Sequence, residues 1–322
     1  MTIDFKELKD HPRLLLEVAL KPVQGSRFQP TGFPDLGAAT FKGFDGEGNT
    51  VDCLIVESAQ SMANRLEAVC WDESESKLVM SLAGLPYVES TLPDGTVTDS
   101  IREAHRLNSP YIASSKSKEF EEIKTEIGFE ANKPFDRRKL AKALFKFDPC
   151  SLIHGTFLEK IGGVVRLPRV LSAFIEASGI EVASAGGVKI DRVQPASGES
   201  TPYGKAAEGY GNVPYHRDEY TARAITAYFN VDLAQVRGYG LGDEAENLLI
   251  GLSLFKIQKF LSEGLRLRTA CDLEVTEGLK VKRPIGYIVP DLSVLEKSIP
   301  PLIQASKKLF ANPAVTKLKY SK

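Results

Sequence analysis

The chain has no long apolar run, no paired cysteines and no decided charge. Its four cysteines, at 53, 70, 150 and 271, include no C-x-x-C pair, which disfavours a disulfide framework and a structural zinc site and fits a reducing compartment. Near the N-terminus the only apolar stretch, Leu14 to Leu20, is interrupted by Glu17 and preceded by Pro12. No signal peptide or membrane span is encoded, and a cytoplasmic location is expected. A net charge of -1 lacks the basic balance of a dedicated nucleic-acid binder. The four histidines, His11, His105, His154 and His216, stand apart, with no H-E-x-x-H, no G-x-S-x-G and no clustered carboxylates around them. His216-Arg217-Asp218-Glu219 could hold a metal, although a solvated hairpin arm is the simpler reading. The P-loop-like segment Gly198 to Ala206 has five residues between its glycines and Ala206 where Ser or Thr should bind magnesium. Gly238 to Gly242 likewise lacks dinucleotide spacing. No catalytic residue, metal or cofactor is therefore expected: the chain reads as a binder and not an enzyme.

What is present is enough for a large core: 322 residues, 43% of them hydrophobic, expected to fold as a single elaborated domain over 1–322. Leu54, Ile55 and Val56 read as a buried strand that runs into a helix starting at Ser58, with Met62, Leu66 and Val69 at helical spacing. First-turn amides and the positive helix end, with Ser58, Gln60, Ser61, Asn64 and Arg65, can face an anion; an ordinary capped helix on a sheet explains the same residues. Upstream, the glycine- and proline-rich segment Gly25 to Gly37 is a shaped loop whose useful polar groups are Arg27 and Gln29. Basic residues cluster at Arg137 to Lys146, at Arg266 and Arg268, at Lys280 to Arg283 and at Lys307 to Lys319. They form either a basic groove or solvated helix faces.

Residues 72–148 alternate short strand-like pieces (Lys77 to Leu82) with charged helices (Glu119 to Ile127, Asp136 to Phe147), an insertion on a compact sheet. A helix is expected from Pro168 to Ser178, with Val170, Leu171, Phe174 and Ile175 on one face. Ile180 to Val193 reads as a strand or a bulged pair of strands, broken by Ala185-Gly186-Gly187. Residues 194–218, rich in Gly, Pro and polar groups, form a long excursion before the strand Ala222 to Val231. A helix over Asp243 to Ser262, a strand over Leu265 to Val275 and a helix over Leu292 to Ile303 complete the chain.

The strand leading into Glu57-Ser-Ala-Gln-Ser-Met-Ala-Asn-Arg65, the loop Gly25 to Gly37 and the strand ending Ala227-Tyr-Phe-Asn-Val-Asp-Leu233 resemble the backbone subunit of type I CRISPR surveillance complexes, a RAMP-superfamily protein of subtype U, later called G. The resemblance implies an α+β fold: a modified RNA-recognition (ferredoxin-like) palm sheet with helices on one face, 72–148 supplying much of the fingers and 194–218 the thumb. The aromatic RNP1 pattern is missing, so phosphate tracking is expected in place of base stacking. It further implies a subunit that oligomerises along CRISPR RNA, beside copies of itself and other subunits, and presents the guide for pairing with target DNA. The RNA-binding residues would be Arg27, Gln29, Ser58, Gln60, Ser61, Asn64, Arg65, Arg266 and Arg268, with Lys205, His216 and Arg217 reaching across from the excursion. An RNA-processing endoribonuclease of the same superfamily, with Asp35, His154 or Asp218, is the alternative; an anion-binding metabolic enzyme would need a preformed pocket and a perturbed acid or base.

Overall fold

A period of two in the apolar residues builds the centre of the molecule. In the computed structural model, which describes residues 3, 5–32, 37–130, 134–160, 165–193, 200–201, 204–205 and 208–321, the main elements run in chain order as β1 (Arg13–Pro22), β2 (Thr40–Phe44), β3 (Thr50–Glu57), α1 (Ala59–Ala68), β4 (Tyr87–Thr91), β5 (Val97–Asp99), α2 (Lys118–Ile127), α3 (Arg137–Phe147), α4 (Pro149–His154), β6 (Leu171–Ser178), β7 (Glu181–Lys189), β8 (Val213–Thr221), β9 (Ala224–Asp232), α5 (Asp243–Ser262), β10 (Leu265–Arg268), β11 (Cys271–Val275), β12 (Lys280–Arg283), α6 (Leu292–Ser306) and β13 (Val315–Lys319). Leu14, Leu16, Val18 and Leu20 of β1 are buried while their neighbours are not; Leu171, Ala173, Ile175 and Ala177 of β6, and Ile225, Ala227, Phe229 and Val231 of β9, repeat the pattern. Such alternation buries one face of a sheet.

These strands form an eight-stranded antiparallel sheet in the order β10-β11-β1-β9-β6-β3-β2, with β12 also alongside β1. The helix α1 packs on β6, α5 packs on α1 and β9, and α6 packs on α5. Gly251 permits the last contact, because a Cβ there would stand 3.1 Å from Leu302 Cδ1 and 3.2 Å from Ile299 Cδ1. The other face keeps Glu17, Glu176 and Asn230 half-buried around Phe174 and Tyr228, whose rings stack at 5.1 Å. The class is α+β.

Several elements differ from expectation. The helix expected over Pro168 to Ser178 is the strand β6. Its apolar residues fit both helical and alternating spacing, and pairing along β9, from Leu171↔Val231 to Ser178↔Ala224, selects the strand. Between Leu265 and Val275 lie two strands, β10 and β11, forming a hairpin. The strand expected at Lys77 to Leu82 reduces to a two-residue pairing and a 3-10 turn. Strand β7 runs unbroken through Gly186-Gly187 and pairs with β8 along its whole length, Glu181↔Thr221 to Lys189↔Val213. Strands β7 and β8 thus form a two-stranded ribbon whose arms project from β6 and β9, and β7 does not enter the central sheet; of the expected excursion, 213–218 belongs to β8, and 194–199, 202–203 and 206–207 lie outside the described residues.

Residues 72–148 do not hang free of the rest. Strand β4 pairs in parallel with β13, Tyr87↔Val315 through Thr91↔Lys319, and antiparallel with β5 on its other side. Helices α2 and α3 pack on each other and α2 on β13. Short polar side chains cap their starts: Ser117 accepts from Phe120 N–H, and Asp136 from Arg138 N–H and Lys139 N–H.

Candidate nucleic-acid interface

The junction of β3 and α1 holds an internal carboxylate. Ser58 caps α1 by accepting from Ser61 N–H at 3.3 Å, and the residue before it, Glu57, is fully buried. Glu57 Oε2 lies 2.7 Å from Arg65 Nε, and Glu57 Oε1 accepts from Thr31 Oγ1 at 2.9 Å. Arg65 Nη2 donates to the Leu267 carbonyl at 2.7 Å, tying α1 to β10. An anion beside a helix start is favourable, and here the protein supplies one. Ser61 is half-buried; Gln60 and Asn64, on the outer side of α1, are exposed.

A second grouping forms where the loop after β1 lies against the ribbon. Phe28 is buried, and its N–H and carbonyl exchange hydrogen bonds with Tyr220 at 2.9 and 2.8 Å. Gln29 N–H then reaches the Ala270 carbonyl at 2.7 Å, and Arg268 Nη1 donates to the Pro30 carbonyl at 3.2 Å. These anchors place Gln29, Thr31, His216, Arg217, Asp218 and Arg268 around an open cavity of about 230 Å³. Gln29 Oε1 is buried there without a partner among the described residues. On the other side of the loop, Arg27, Arg266 and Asp272 border a cavity of about 430 Å³. Buried Glu219 separates the two, meeting Arg27 Nη1 at 3.3 Å and Arg217 Nη2 at 2.5 Å. Two guanidiniums share one carboxylate, leaving a net positive charge, and Arg266 is exposed.

The structure therefore brings together Arg27, Gln29, His216, Arg217, Arg266 and Arg268, and links Arg65 to them through Leu267. Ser58 and Ser61 serve the cap. Gln60 and Asn64 open onto a different cavity, and Lys205, exposed in a two-residue strand, borders none of these spaces. Of the alternative residues, Asp35 lies outside the described residues, Asp218 is exposed, and His154 is buried. No group of three or more potential metal ligands occurs among the described residues, and no described helix is long and apolar enough to cross a membrane.

Sequence reasoning missed a buried polar cluster under α4. Lys256, inside α5, places its Nζ 2.9 Å from His154 Nε2 and 3.2 Å from Cys150 Sγ. Burial pulls the lysine pKa down, but Cys150, Cys70 and Glu67 more than offset it and leave it raised. Glu67 pairs with Arg106 at 2.6 Å; burial pushes its carboxyl up to about 8 against the pull of Arg106 and Lys256. His154 is held well below its ordinary pKa by burial and by the cations Lys256, Arg106 and Arg169. The local signal was Lys256 itself, flanked by Phe255 and Ile257 in an apolar helix.

Comparison with known proteins gives one family. The model of the family described as CRISPR-associated protein GSU0053 matches residues 14–182, just over half of the chain. No curated protein sequence matches. Among solved structures, a chain of a "CRISPR RNA-guided surveillance complex, pre-nicking" is 12% identical, with 92% of this chain and 89% of that chain covered and a TM-score of 0.38. Csc2 of Thermofilum pendens is 10% identical, with coverages of 96% and 81% and a TM-score of 0.33. At those scores neither likeness adds to the argument.

Proposed function

Because the chain belongs to the CRISPR-associated protein GSU0053 family, we propose that it is the guide-RNA-binding backbone subunit of a type I surveillance complex, of the RAMP kind. It oligomerises along a CRISPR RNA in the cytoplasm, beside other subunits, and presents the guide for pairing with target DNA. It binds and does not cut. The central sheet is the modified RNA-recognition palm: β1, β6, β9 and β11 stand in the order β11-β1-β9-β6, all antiparallel, with α1 between the first two in sequence and α5 between the last two. Residues 194–218, carried at the end of the β7–β8 ribbon, are the thumb, and residues 72–148 are the fingers.

The observation that carries this reading is the convergence of Arg27, Gln29, His216, Arg217, Arg266 and Arg268 on two adjoining open cavities. Cations and amides in that arrangement suit phosphates and leave base edges free, as a guide that must pair with any target requires. Filter binding of unrelated single-stranded RNAs across a salt series tests it. Affinity falls steeply with salt and varies little with sequence, and each of Arg266→Gln and Arg268→Gln lowers the slope by about 0.7. A strong base preference or a flat salt response overturns the reading. Cleavage of labelled RNA on adding a divalent metal favours the endoribonuclease.

A further inference from the structure

The cavity that Gln60 and Asn64 open onto measures about 690 Å³, within the range of small-molecule sites. Its walls come from five separate parts of the chain. His154 and Thr156 form one side and Arg166 and Arg169 the facing one; Arg106 and Arg137 complete it. Gly155 lets the first two sides close: its φ is 75°, and a Cβ there would come within 2.8 Å of the Leu167 carbonyl oxygen and 3.1 Å of Arg169 N. Val170 N–H donates to the Ile153 carbonyl at 2.9 Å, locking the two segments together.

Apart from Arg106 Nη2, which faces Glu67, three buried hydrogen-bonding atoms of side chains that line this space have no partner among the described residues: His154 Nδ1, Thr156 Oγ1 and Arg169 Nε. His154 is 1% exposed and Thr156 8%. Leaving such groups unmatched costs free energy, so three around one space call for a common acceptor. The histidine tautomer follows from its other nitrogen. Lys256 has only N–H to offer, so His154 Nε2 accepts, and the neutral ring then carries its proton on Nδ1 as a donor. Arg169 Nε–H is a donor of necessity, and the Thr156 hydroxyl can turn to donate.

Charge points the same way. No Asp or Glu borders the cavity among the described residues. Arg137, Arg166 and Arg169 meet no carboxylate among the described residues, and Arg166 lies over the Phe157 ring at 4.3 Å. Arg106 is spent on Glu67: its Nη2 stands 2.6 Å from Oε2, off the line of a hydrogen bond. The Arg169 guanidinium is held below its ordinary pKa by burial and by the neighbouring Arg106. Five residues, the cations Arg137, Arg166 and Arg169 and the donors His154 and Thr156, suit a dianion with several oxygens better than a carboxylate with two.

We propose that this cavity is a binding site for the phosphoryl group of a nucleotide, gripped by His154 Nδ1–H, Thr156 Oγ1–H and Arg169 with Arg137 and Arg166 at the rim. On the guide-binding reading the phosphate belongs to the RNA chain, entering past Gln60 and Asn64; a free nucleotide offers the same chemistry. Calorimetric titration of the full chain with adenosine 5′-monophosphate, inorganic phosphate and acetate tests the site. Saturable binding of the monophosphate and of phosphate, at least tenfold weaker in Arg169→Gln and unchanged in Lys308→Gln, is expected. If Arg169→Gln does not fold, the exposed Arg166→Gln carries the comparison. Absence of saturable binding, acetate bound as tightly as phosphate, or equal binding by the wild type and both arginine variants overturns it. RNA filter binding on the same proteins separates the two readings. Tight RNA binding without phosphate binding overturns the pocket alone; phosphate binding without RNA binding upholds the pocket and overturns the guide role. RNA binding that weakens in Arg169→Gln along with monophosphate binding assigns the phosphate to RNA.

Discussion

Arg65 is the only route by which the charge of Glu57 is met among the described residues: the two lie 2.7 Å apart, the carboxylate fully buried and the guanidinium about a quarter exposed. The same arginine holds the Leu267 carbonyl, so one side chain joins the end of β3, the body of α1 and the edge strand β10. Its side chain is a structural tie.

Removing one partner of such a pair strands a buried charge. Arg65→Ala should lower unfolding free energy by about 3–5 kcal/mol, and adding Glu57→Gln should restore most of it. Urea titration of the two single variants and the double variant gives the cycle. Equal stability of Arg65→Ala and the parent would mean that Glu57 needs no counter-charge.

Close approach of α5 and α6 at Gly251 predicts a steric penalty. Gly251→Val would press on Leu302 and Ile299, already 3.1 and 3.2 Å from a Cβ, and should cost about 1–3 kcal/mol despite relieving a helical glycine. A thermal melt at or above that of the parent would show that α6 can shift.

Acid should expose His154. Its folded pKa is depressed, so below the unfolded value, about 6.5, the unfolded chain takes up a proton that the folded chain refuses. Stability is complete above that pH and is lost as pH falls, by up to about 1.4 kcal/mol per unit. Glu67 and Asp148, both raised chiefly by burial, act in the opposite sense and remain in the control variant. Chemical denaturation of the wild type and His154→Gln from pH 7.5 to 5.5 should therefore differ in slope, the wild type losing more. Parallel curves would mean the ring protonates in place.

Replacing positions 190–212 by a short Gly-Ser turn from Lys189 to Val213 should leave the central sheet folded, because β6 pairs with β9 directly and, among the described residues, the ribbon pairs only with itself apart from the Phe28–Tyr220 bridge. Assembly along a guide should be lost. Size-exclusion chromatography with and without RNA checks both halves: a collapsed monomer would place the segment in the core, and normal assembly would mean it is no thumb.

Sequence patterns made some of this legible and hid the rest for identifiable reasons. Ser58 and Asp136 mark helix starts through short side chains that cap locally, and the α5 span was readable from its acidic start and apolar body. Residues Val170 to Ile175 satisfied two periods at once, and only pairing with β9 decided between them. Arg65 looked free because its partner sits across a strand–helix junction and its second contact on a distant strand. The anion cavity was invisible because Arg106, Arg137, His154 and Arg169 become neighbours only through the fold. A histidine tautomer set by a lysine from another helix has no local signature.

The parallel seam between β4 and β13, reinforced by Lys317 and Glu89 at 3.1 Å, makes translation itself a constraint. A nascent chain that has reached Ile303 already carries β4 and β5 but not the strand that flanks β4. At ordinary elongation rates the interval between synthesis of the two partners is roughly 10–45 s. Throughout that time one edge of β4 is an open template for strands of other chains. Holding that edge apart until Val315–Lys319 emerges is a task for chaperones or for slow local folding, and any stop codon upstream of Val315 makes the exposure permanent.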